Sequence, residues 1–155
     1  MERKTIFVSF SFFIIGVILS FFLESTFRSL VLNIYQWTTN NGIQFHGKNL
    51  YLLSSPIFYL GFGLFFSVLT LNMYFHSTAK AAIKAITPLF IFMLILTGII
   101  GLDANFKIME CTLCDEGIRY LRYSEVNHGL IVGISFILST VPILIQIIKR
   151  VRSNA

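Results

Sequence analysis

Charge is scarce in this chain, and its absence is concentrated. Four long stretches, 5–23, 49–75, 85–102 and 126–148, hold no Asp, Glu, Lys or Arg. Each reaches the roughly 18 to 25 residues with which an α-helix crosses about 30 Å of hydrocarbon. The lack excludes a water-soluble domain of ordinary composition and predicts an all-α membrane protein, a four-transmembrane-helix bundle. With 155 residues and four crossings, little chain remains for anything else, so 1–155 reads as a single membrane domain.

Other shortages narrow the function. There are three His, and no two are paired inside the apolar runs as haem ligation would want. Only two Cys occur, Cys111 and Cys114, and no internal repeat is evident. No cofactor is expected. Phe is plentiful, but the seventeen are spread too evenly to mark a cofactor box and read as lipid-facing packing.

The charges that exist set an orientation. Lys and Arg near membrane crossings are retained in the cytoplasm. With the N-terminus inside, the inner segments carry Arg3, Lys4, Lys80, Lys84, Lys149, Arg150 and Arg152 against Glu2. The outer segments, 24–48 and 103–125, carry Arg28, Lys48, Lys107, Arg119 and Arg122 against Glu24, Asp103, Glu110, Asp115, Glu116 and Glu125. Both termini are therefore expected in the cytoplasm, in an inner membrane. The net charge of +5 is accounted for by a basic rim facing anionic lipid, without nucleic acid as a partner. The basic start MERK followed by an apolar run suggests a secretory signal, but the exit LSFFLES has Phe and Leu where cleavage needs small side chains. The segment is expected to remain as the first helix.

Specific chemistry is expected on the outer face, where the two long segments lie, because the inner connection 76–84 is a short hairpin. Phe27, Leu30, Val31, Ile34 and Tyr35 fall at helical spacing with Trp37 beside them, which suits a short interfacial helix; part of the same stretch suits a strand as well. Asn40-Asn41-Gly42 then marks a turn, since Asn and Gly tolerate positive φ. Gly61 and Gly63, Gly98 and Gly101, and Gly129 and Gly133 are small residues that let helices approach closely, and Pro56, Pro88 and Pro142 start or kink helices.

Several of these pieces, in order, resemble signal peptidase II, the lipoprotein signal peptidase. The acid and base of FLESTFR, Glu24 and Arg28, match the end of that family's first helix. Asn40, Gly42 and Phe45 match its Asn-x-Gly-x-x-Phe motif, which helps hold substrate. GLDANF (101–106) falls on the end of its third helix and YSEVNHGLIVG (123–133) on the start of its fourth. The resemblance implies a four-helix membrane aspartic peptidase with both termini inside and a lipoprotein precursor as partner, beside membrane lipid or another membrane protein.

Both catalytic aspartates of the family fall on amides here, Asn105 and Asn127. An aspartic peptidase needs two close carboxylates sharing a proton. An amide can hydrogen bond but not exchange that proton, so the resemblance implies a pseudoenzyme that binds without cutting. A displaced dyad of Asp103 and Glu125 is the alternative that retains catalysis. Each lies two residues before the aligned position, about 200° around a continuing helix.

Cys111 and Cys114 lie in an outer segment, where disulfides persist, and an intramolecular bridge is expected. The acids Glu110, Asp115 and Glu116 disfavour a reactive thiolate. Thiol-disulfide exchange stays open, because the CTLC segment is similar to that of four-helix quinone-coupled oxidases, which carry a second Cys pair that this chain lacks. A zinc site from Cys111, Cys114, His46 and His128 has suitable ligand types but no metal-ligand spacing. A small interaction subunit of a larger membrane complex is the remaining reading.

Overall fold

A computed structural model describes residues 3–47, 55–74, 78–109 and 118–153. Along the chain run α1 (Arg3–Thr38), β1 (Ile43–His46), α2 (Pro56–Tyr74), α3 (Thr78–Met109), β2 (Arg119–Arg122) and α4 (His128–Ser153), with a 3-10 turn at Tyr123–Glu125 before α4. All four α-helices are long and apolar enough to cross a membrane. The chain is a membrane protein of mostly helical build.

The first helix does not stop where the charges begin. A break was expected after residue 23, with an interfacial helix or a strand beyond it; instead α1 continues for 36 residues, about 54 Å at 1.5 Å per residue. No Gly or Pro lies between Val17 and Asn41 to interrupt it, and Glu24 and Arg28 pair at i,i+4 across 3.0 Å. The charges are satisfied within the bundle, so they need not mark its edge. Helix α1 ends at the predicted turn, where Asn40 and Asn41 adopt φ of 48° and 61° and the Gly42 N–H donates to the Thr39 carbonyl. The stretch that also suits a strand is helical throughout, and the strand of this connection lies at Ile43–His46.

The other helices also depart from their apolar runs. The first turns of α3 take in Lys80 and Lys84, leaving no hairpin loop beyond residue 77, and its last turns take in Asp103 and Lys107. Helix α2 opens on Pro56, which fits the first turn because its missing N–H needs no acceptor there. Helix α4 starts at His128, not at 126, and both it and α3 accommodate an internal proline.

Helix α2 is the centre of the bundle. Its two glycines, two residues and about 200° apart, serve opposite faces. A Cβ on Gly61 would lie 2.7 Å from the Gly133 carbonyl oxygen of α4, and one on Gly63 would lie 2.8 Å from Val17 of α1. Ser9 and Ser67 add a hydroxyl contact of 3.0 Å along the α1–α2 seam. Gly98 and Gly101 of α3 were expected to serve the same purpose and do not: a Cβ on Gly98 would meet nothing within 4 Å, and one on Gly101 only Thr38 at 3.8 Å.

Aromatic rings fill the interior. Phe92 of α3 stacks on Phe136 of α4 at 4.3 Å, and Phe27 of α1 meets Phe58, Phe62, Phe92 and Phe136 edge-on. The expectation that the phenylalanines face lipid holds for Phe7, Phe22 and Phe90 but fails for Phe58, Phe62, Phe65, Phe92 and Phe136, which are buried core. Beyond the helices, β1 and β2 pair in parallel, Ile43 opposite Arg119 and His46 opposite Arg122. This ribbon ties the α1–α2 connection to the α3–α4 connection and defines one end of the molecule.

Candidate functional site

Polar side chains gather toward the ribbon end. On the α1–α2 side, Arg28 Nη2 donates to Glu24 Oε1 at 3.0 Å and the Tyr59 hydroxyl donates to Glu24 Oε2 at 2.8 Å. The node exists because helical spacing puts Glu24 and Arg28 on one face and a phenol in an apolar helix needs an acceptor. His128, in the first turn of α4, is 5% exposed. Its ring lies within electrostatic reach of Arg28 and faces the Tyr123 backbone, yet neither ring nitrogen closes a hydrogen bond.

On the α1–α3 side, the Tyr35 hydroxyl donates to Asp103 Oδ2, and Lys107 Nζ lies 3.8 Å from the same oxygen. Tyr35 also links to the ribbon. Phe45 meets Tyr35 edge-on at 5.8 Å and stacks on Tyr123 at 5.7 Å, so the third residue of the Asn40-Gly42-Phe45 motif is held between two phenols. The Gly42 carbonyl accepts from the Arg119 N–H at 2.8 Å, which fixes the turn to β2. Glu24, Arg28 and Phe45 are thus built into the fold, whereas Asn40 itself is exposed.

The aligned asparagines are spent on backbone. Asn105 Nδ2 donates to the Gly101 carbonyl one turn back at 2.7 Å, and Asn127 caps α4 by accepting from the Leu130 N–H at 3.0 Å. Both are exposed, and no hydrogen bond joins them. Asp103 is committed to Tyr35 and Lys107, while Glu125 stands exposed in the 3-10 turn. No hydrogen bond joins those two carboxyl groups either.

Cys111 and Cys114 lie outside the described residues, as do Glu110, Asp115 and Glu116. Among the described residues no three His, Cys, Asp or Glu side chains gather into a metal-ligand group. His46 is exposed on β1 with its ring 6.5 Å from Tyr120, and His128 is buried. Sequence reasoning missed Tyr35, Tyr59 and Tyr123, the phenols that organise this end. Their signal was available: a Tyr inside an otherwise apolar helix seeks a polar partner, and Glu24 and Asp103 were the nearby acids in want of donors. No family model, curated protein or solved structure matches this chain.

Proposed function

We propose that this chain is a non-catalytic, multi-pass inner-membrane protein of signal peptidase II-like build, which binds a lipidated or apolar helical segment at its ribbon end. The ribbon end faces outward and both termini lie in the cytoplasm, a reading supported by the basic residues gathered at the opposite end. One observation carries the binding role. Phe45 of the Asn40-Gly42-Phe45 motif stands between buried Tyr35 and half-buried Tyr123, so a short surface segment offers the partly exposed rings of Phe45 and Tyr123 beside the ends of α1, α3 and α4.

The lack of catalysis rests on chemistry. A dyad needs two carboxyl groups trading one proton. At the aligned positions stand two amides, and the nearest substitute, Asp103, already accepts from Tyr35 and faces the Lys107 ammonium. The test uses purified protein in detergent with a diacylglyceryl-modified lipoprotein precursor. Binding without cleavage is expected; cleavage abolished by Asp103→Asn or Glu125→Gln establishes the displaced dyad instead, and neither binding nor cleavage removes the family reading. Orientation is read separately: after reduction, an impermeant thiol reagent should reach Cys111 or Cys114 from outside. A single intramolecular disulfide between them, with no trapped mixed disulfide in either single Ser variant, separates a structural bridge from thiol exchange.

A further inference from the structure

We draw no further inference here: the strongest candidate, the apolar groove between α1 and α3 floored by Phe62, Phe65, Phe92 and Phe136 and rimmed by Leu89 and Met93, carries nothing because nothing in the structure shows what covers it.

Discussion

The α2–α4 seam and the α1–α3 seam are built on opposite principles. At the first, backbone meets backbone: a Cβ on Gly133 would sit 2.5 Å from the Ile57 carbonyl oxygen, leaving no room for any side chain. At the second, Tyr35 and Asp103 join the helices at the ribbon end, and below them Phe27 meets Phe92 edge-on beside an apolar groove. Both seams contain glycines, yet only one uses them. In a solvent where helices gain little by leaving lipid, close packing holds a seam permanently, whereas a single polar contact holds it conditionally.

The largest expected effect lies outside both seams, on the α1–α2 side, and is electrostatic. Glu24→Leu removes the carboxylate that receives both Arg28 and Tyr59, breaking a largely buried ion pair, and should cost about 3 to 5 kcal/mol in unfolding experiments in detergent. Next comes Gly133→Ala. Its new methyl strikes a backbone oxygen that cannot rotate away, so a loss of about 2 to 3 kcal/mol is expected, read as a lower unfolding midpoint. On the open side the effects shrink. Tyr35→Phe deletes a hydrogen bond to a half-exposed carboxylate and, discounted for solvent screening, should cost only about 1 kcal/mol, but hydrogen exchange should rise around Asp103 more than around Gly133. Smallest is Gly98→Ala, which faces open space and should stay within about 0.5 kcal/mol of the parent. If Gly98→Ala destabilised as much as Gly133→Ala, the contrast between the seams would be lost.

Apolar run length picks out the four helices that are long and apolar enough to cross a membrane, because it answers to bilayer thickness alone. It reads the ends poorly. A run stops at the first charge, whereas α1 passes through Glu24 and Arg28 because the acceptor that neutralises them also takes Tyr59, 35 residues away. The Asn40-Asn41-Gly42 turn was legible since positive φ is a local property. The ribbon was not, for its strands are four residues each and its pairing joins positions 43–46 to 119–122. Glycine spacing named Gly61, Gly63 and Gly133 correctly but could not separate them from Gly98, because spacing does not say which face has a neighbour. At the candidate site, the resemblance drew attention to Asn127 as the counterpart of a catalytic residue; its local use as a helix cap follows from Asn standing just before an apolar helix.

The ribbon also bears on how the chain assembles. Two four-residue strands are too short to hold together alone, and parallel pairing joins segments separated by α2 and α3. Helices α1 and α2 can meet as soon as both have been made, but the ribbon must wait until α2, α3 and β2 have followed β1. The Arg119 N–H bonded to Gly42 thus arrives after the α1–α2 contact, and its protection from exchange times the joining of the two connections.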